Sequence, residues 1–187
     1  MTLPTAYLAP ISYYRTLLHA QEPVEVEQWE SFPKQTYRNR CRIAGTNGVQ
    51  TLSIPVGKCE SKQYTKDVRI TYQSKWQHQH WMALVSAYQH TPYFMYYEDR
   101  FRPFYEKEYT YLIDYNEALN EVILGLLNRS TTLPRTTDWQ GQDLEQYRET
   151  DNSKPYYQIF ADKQGYTDNL SIVDLLFNMG SEAILYL

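Results

Sequence analysis

Between Arg38 and Val56 apolar and polar residues alternate, whereas from Trp76 onward apolar residues recur at helical spacing. The first pattern is that of half-buried strands and the second that of amphipathic helices. Asn47-Gly48, a dipeptide that accepts positive φ at both central positions of a type I′ turn, predicts a β-hairpin tip. With Asn47-Gly48 as the two-residue loop, Thr46 faces Val49, Ile43 faces Leu52 and Cys41 faces Ile54. The opposite face then carries Arg42 across from Ser53, Arg40 across from Pro55 and Arg38 across from Gly57.

Upstream, Thr5-Ala6-Tyr7-Leu8 reads as a short strand, Pro10 suits the start of a helix from Ile11 to His19, and Pro23 to Trp29 alternates as a second strand. Strands joined through a helix favour a parallel pair with a right-handed crossover. Ligands of such units gather beyond the strand ends beside the helix N-terminus, here near Tyr7, Pro10 and Ser12. Lys66 to Thr71 alternates as a further strand. Trp81, Leu84, Val85 and Tyr88 form one stripe of a helix spanning Trp76 to His90, closed by Pro92. An aromatic segment runs from Tyr93 to Tyr111, a long helix is expected over Asp114 to Asn128, and Asn169 to Asp174 opens a last helix with Gly180 just past its end. Ser130 to Tyr156 is poor in aliphatic residues and reads as a polar surface excursion, mobile in part. The expectation is a mixed α/β fold in one domain over residues 1–187. A βαβ unit and a β-hairpin share one sheet, followed by a largely helical C-terminal half.

Composition changes this picture in three ways. The 187 residues hold 42% apolar residues and 19 tyrosines, enough for a core in which rings with polar tips carry much of the burial. Cys41 and Cys59 have neither metal-finger spacing nor a disulfide framework, the N-terminus lacks signal-peptide regions, and no apolar run approaches ~18 residues. A cytoplasmic protein without a membrane span is expected. The formal net charge of −4 argues against nucleic acid as a partner, because sequence-independent phosphate attraction needs a basic surface.

Against that acidic background the arginines at 38, 40 and 42 stand out, with Lys34 and Lys58 nearby. Guanidinium forks match phosphate and carboxylate oxygens two at a time, and charged edge strands also serve to prevent edge-to-edge association. Asn39 shares the face of Cys41 and requires hydrogen-bond partners inside. His78 and His80 point roughly 200° apart on a helix, so they cannot share a metal ion, and no metal is assigned. His80 fits either a general base or a hydrogen-bonded, half-buried histidine. Ser171 and Asp174 have capping-box spacing, with both side chains directed to free backbone N–H groups. Asn169, just outside that cap, has no such structural explanation. Glu98, Asp99, Arg100 and Arg102 offer either paired carboxylates or a neutralised helix surface. Gly45 to Gly48 lacks the Lys-Ser/Thr of a phosphate loop, Cys41 fits a small core residue, and no cofactor motif is present.

The string KQTYRNRCRIAGTNGVQTLSIPV, residues 34–56, resembles the central block of the WbqC-like family of bacterial proteins, often encoded among O-antigen and surface-polysaccharide genes. AYLAPISYY, HWMALVSAYQHTPYFMYYEDRFRPFYE and NLSIVDLLFNMGSEAILYL extend the likeness in the expected order. Where many members carry a His-Gln-Pro-like segment, this chain has Leu3-Pro4-Thr5-Ala6. The resemblance implies a transferase acting on an anionic, phosphate-bearing small molecule, with amino-acyl or glycyl transfer in polysaccharide synthesis as its inferred role. In that reading Arg38 and Arg40 hold the anion, Lys34 adds charge, Tyr7 and Tyr37 stack or donate, Asn39 and Asn169 contribute amides, and His80 moves a proton. The reading from another class is a non-catalytic interaction module whose Tyr93 to Tyr111 segment forms an interface, including one between two copies in a homo-oligomer.

Overall fold

The computed structural model describes residues 1–58, 62–129, 132–140 and 154–187. Strand β1 (Thr2–Pro4) lies parallel to β2 (Glu25–Glu27), and helix α1 (Ile11–Leu18) connects them. The βαβ start is present, but its first strand precedes the expected Thr5–Leu8. Leu8 takes a positive φ of 41°, which a strand cannot contain, so this stretch turns the chain toward α1 instead.

Strands β3 (Arg40–Gly45) and β4 (Gly48–Ser53) form the antiparallel hairpin, with a register that differs from the sequence reading. Gly45 faces Gly48, Arg42 faces Thr51, Cys41 faces Leu52 and Arg40 faces Ser53, so the loop is Thr46-Asn47. Gly48 takes φ 114° while Asn47 does not enter the positive region, which rules out a type I′ turn. The glycine after the turn supplies the left-handed step instead, as in hairpins closed by a bulge. Cys41, Ile43 and Leu52 are buried, as the alternation requires. The hairpin forms a sheet of its own rather than joining β1 and β2. The strand expected at Lys66–Thr71 is a 3₁₀ turn at Thr65–Asp67 followed by isolated bridges from Ile70 to Val56 and from Arg69 to Tyr111.

The rest of the described chain is largely helical: α2 (Trp76–Tyr88), α3 (Phe94–Phe101), α4 (Leu112–Leu126), α5 (Ala161–Gln164) and α6 (Ile172–Met179). Every residue of α6 from Ile172 to Asn178 is buried, so this helix is core on all sides rather than amphipathic. Phe177 anchors it against the rings of Tyr88, Phe94 and Phe101 at centroid distances of 5.3, 5.1 and 5.5 Å. Gly180 ends the helix with φ 57°, and a Cβ there would lie 2.4 Å from the Tyr93 ring. Both the turn and the packing therefore require glycine.

Of the polar stretch expected as a surface excursion, residues 132–140 are held against β2; residues 130–131 and 141–153 lie outside the described residues, as does Cys59. The Val26 amide donates to the Pro134 carbonyl at 2.8 Å and the Thr136 amide to the Val26 carbonyl at 2.9 Å. Arg135 bonds both Asp114, at 2.6 Å, and Glu117 on α4. A segment so tied is a strap over the sheet edge, because its polar groups find fixed partners. Among the described residues no helix is long and apolar enough to cross a membrane.

Candidate functional site

A cleft of about 470 Å³ opens on the outer face of the hairpin. Arg40 and Arg42 on β3 and Thr51 on β4 line it, because alternation turns them away from the buried Cys41, Ile43 and Leu52. The turn before β3 contributes Gln35, Thr36 and Tyr37, and the segment before α6 contributes Asn169. Backbone bonds fix these pieces together. The Tyr7 amide donates to the Tyr37 carbonyl at 2.9 Å, the Ser171 amide to the Arg42 carbonyl at 2.8 Å, and the Ile11 amide to the Leu170 carbonyl at 3.0 Å. Two lining residues, Gln35 (φ 66°) and Asn169 (φ 48°), hold left-handed backbone. That conformation costs an L residue roughly 1–2 kcal/mol, less for asparagine, and such residues cluster at functional sites.

The cleft is rich in donors. Among the described residues no aspartate or glutamate lines it, and neither Arg40 nor Arg42 has a carboxylate partner. Arg40 Nε is shielded from solvent yet has no hydrogen-bond partner. A buried charged donor left unpaired is expensive, so such an atom points to an acceptor that arrives from outside. Asn169 Oδ1 accepts the Ser12 amide at 3.0 Å, capping α1, which leaves its NH₂ group as the donor side of the amide.

Three residues from the sequence reading meet here: Tyr37, Arg40 and Asn169. Arg38 does not. Its side chain is 2% exposed, with Nε and Nη2 on the two carboxylate oxygens of Glu30, the latter at 2.6 Å. The comb of three arginines is therefore two, since the strand begins only at Arg40 and Arg38 turns inward. Burial pushes the Glu30 carboxyl above its usual range, an effect that Arg38 opposes. Asn39 is buried and donates to the Ile54 carbonyl at 2.9 Å, and Lys34 is exposed outside the lining. Arg42, the third guanidinium of the expected comb, also lines the cleft. Gln35, Thr36 and Thr51 went unnoticed, although the correct hairpin register places Thr51 directly beside Arg42.

The expected general base lies in the interior instead. His80 is buried, and its Nδ1 is 3.0 Å from the Tyr7 hydroxyl, which lies 3.1 Å from the Tyr105 hydroxyl. Burial pushes the imidazole down to about 4, although a bond with the Ser53 backbone favours the charged form, so it is neutral near pH 7. His80 lines no part of the cleft. Asp174 also departs from expectation. It makes no capping box: Ser171 Oγ accepts the Val173 amide at 3.4 Å, while the Asp174 carboxylate accepts hydroxyl protons from Tyr88 at 2.8 Å and Tyr156 at 2.6 Å. Burial raises this carboxyl to about 6 against those two bonds. Among the described residues no group of three His, Cys, Asp or Glu side chains could hold a metal ion.

A small mixed α/β protein with an arginine-lined cleft on a hairpin is the class that the fold and site define. The sequence profile of the WbqC-like protein family matches residues 5–152, and the chain belongs to that family. It is similar to the uncharacterized protein Rv1507c of Mycobacterium tuberculosis (strain ATCC 25618 / H37Rv). The two are 28% identical over 193 aligned residues, with 83% of each chain covered. No solved structure matches the chain.

Proposed function

We propose that the hairpin cleft binds an anionic, phosphate-bearing small molecule and that the protein acts on it as a transferase. Amino-acyl or glycyl transfer in surface-polysaccharide synthesis is the role suggested by family membership. The observation that carries the binding site is the buried, unpartnered Nε of Arg40 beside Arg42, in a cleft that no carboxylate lines among the described residues. Guanidinium forks aimed at an empty space of ligand size are suited to phosphate or carboxylate oxygens. Tyr37 supplies a ring at the rim and Asn169 an amide donor. Proton transfer is not assigned to His80, whose accepting nitrogen is already bonded to Tyr7. A thermal-shift screen across nucleotide sugars, aminoacyl donors and inorganic phosphate tests the reading, since a ligand that binds only the native state raises its melting point. A stabilising response abolished by Arg40→Ala supports it; a flat response to every phosphorylated compound sinks it.

A second reading has its own observation. On α3, Met95 and Tyr96 are 68% and 69% exposed, while Phe94 and Phe101 are buried. That pair is the part of the aromatic segment available to an interface of a non-catalytic module. Concentration-dependent self-association that Tyr96→Ser abolishes would favour it.

A further inference from the structure

We infer that the cleft takes a diphosphate rather than a single phosphate or carboxylate, with one guanidinium on each phosphorus. The inference rests on the anion-binding reading above and specifies its ligand. Arg40 and Arg42 are alternate residues on one face of β3, so their backbone roots stand about 6–7 Å apart along the strand. Forks rooted that far apart can each take a different phosphorus of one ligand. Neighbouring polar side chains flank the two arginines. Thr51 stands across the hairpin from Arg42, whose carbonyl receives the Ser171 amide and so lies beside Asn169. Thr36 and Tyr37 lie at the Arg40 end, before the strand begins.

The chemistry of the lining agrees with this geometry. Two bidentate forks present four N–H groups, and a bridging diphosphate presents at least four non-bridging oxygens. Among the described residues no lining carboxylate repels it, and Asn169 and Thr51 add neutral polar side chains. A lone carboxylate would satisfy one fork and leave the other arginine uncompensated, the condition that the buried Arg40 Nε already shows. The cleft, about 470 Å³, leaves room for groups attached to the diphosphate.

Such a group can come from a soluble nucleotide or from a prenyl carrier, and the test separates them. Isothermal titration of the full chain compares UDP-glucose with UMP, and farnesyl diphosphate with farnesyl monophosphate. At least tenfold tighter binding of one diphosphate over its monophosphate supports the inference and names the carrier. Arg40→Gln and Arg42→Gln should each erase that preference, and melting of the unliganded variants confirms that they fold. Equal affinity for mono- and diphosphate, or two phosphates bound per chain, overturns the diphosphate while sparing the anion cleft. No binding by any of the four overturns both.

Discussion

The guanidinium of Arg38 lies in the interior with both carboxylate oxygens of Glu30 on its nitrogens, whereas Arg40, two residues further on, faces an open cleft with a buried Nε that has no partner. A similar contrast separates much of the interior from the cleft, although Trp76 Nε1 and the Tyr115 hydroxyl are buried without a hydrogen-bond partner among the described residues. The interior polar groups Tyr7, His80, Tyr88 and Asp174 have partners within the chain, while the cleft holds donors in surplus. Burying a polar group is tolerable when its bonds are satisfied internally, and a satisfied group has little left to offer a ligand. Internal saturation therefore marks Arg38 as part of the scaffold, while among the described residues the unmet Nε of Arg40 is the one unpartnered buried side-chain atom whose residue lines the hairpin cleft.

The largest effect should come from breaking the saturated side. Arg38→Met leaves Glu30 as an uncompensated buried carboxylate and is expected to cost about 3–5 kcal/mol in urea denaturation. The double change with Glu30→Leu should recover much of that loss, because neither charge then remains to be solvated. A cost below about 1 kcal/mol would place the pair among weak surface bridges and dissolve the contrast.

Next comes pH. His80 titrates near 4 when folded against 6.5 unfolded, so the unfolded chain binds more protons in that window and stability falls as pH drops from 6.5 to about 4. Asp174 titrates near 6 when folded against 3.8 unfolded, so the folded chain binds more protons and stability falls as pH rises from 3.8 to about 6. The slopes oppose each other, each worth on the order of 2–3 kcal/mol over its window, and the raised Glu30 carboxyl adds to the Asp174 side, so the parent protein should lose a little stability as pH rises between them. His80→Gln should leave stability that declines as pH rises through this range, and Asp174→Asn stability that declines as pH falls. Parallel profiles for the two variants would refute the assignment.

What could be read from the sequence follows the same division. Local periodicity locates α2 and α4, because each signal lies within one element, whereas the parallel start is right in topology and misplaced in its first strand. The alternation correctly turned Cys41 inward and Arg40 outward. The register slipped because Asn47-Gly48 was taken as the loop, when the glycine acts as the residue after it. The partner of Asp174, Tyr88, lies 86 residues away, and no local spacing reports it. Arg38 was misplaced for a related reason: strand alternation was extended past the strand's first residue, and Glu30 could be recognised as its counter-charge only in three dimensions. Asn169 lies outside the Ser171 cap and lines the cleft, while its Oδ1 caps α1 through the Ser12 amide, a bond across 157 residues that no local spacing reports.

On the unsaturated side the signature should reverse. Arg40→Gln removes a donor without a partner, so stability is expected to stay within about 0.5 kcal/mol of the parent. Affinity for a phosphate-bearing ligand should fall at least tenfold, about 1.4 kcal/mol, by calorimetry. Loss of stability matching Arg38→Met would show that Arg40 also belongs to the scaffold.

The smallest expected change in stability is the most discriminating, because Asn169 stands on both sides of the comparison. Its Oδ1 caps α1 through the Ser12 amide, a structural bond, while the residue also lines the cleft. Asn169→Asp keeps an acceptor of the same shape for that amide, and aspartate both tolerates the left-handed backbone at φ 48° and suits a helix N-terminus. Melting should therefore move by no more than about 0.5 kcal/mol in equivalent stability. The same change replaces a donor with a negative charge where an anion is meant to sit, so phosphate-ligand affinity should collapse, with the deficit shrinking as salt screens the repulsion. Unchanged affinity in Asn169→Asp would mean that no anion approaches this side of the cleft, whatever Arg40 does.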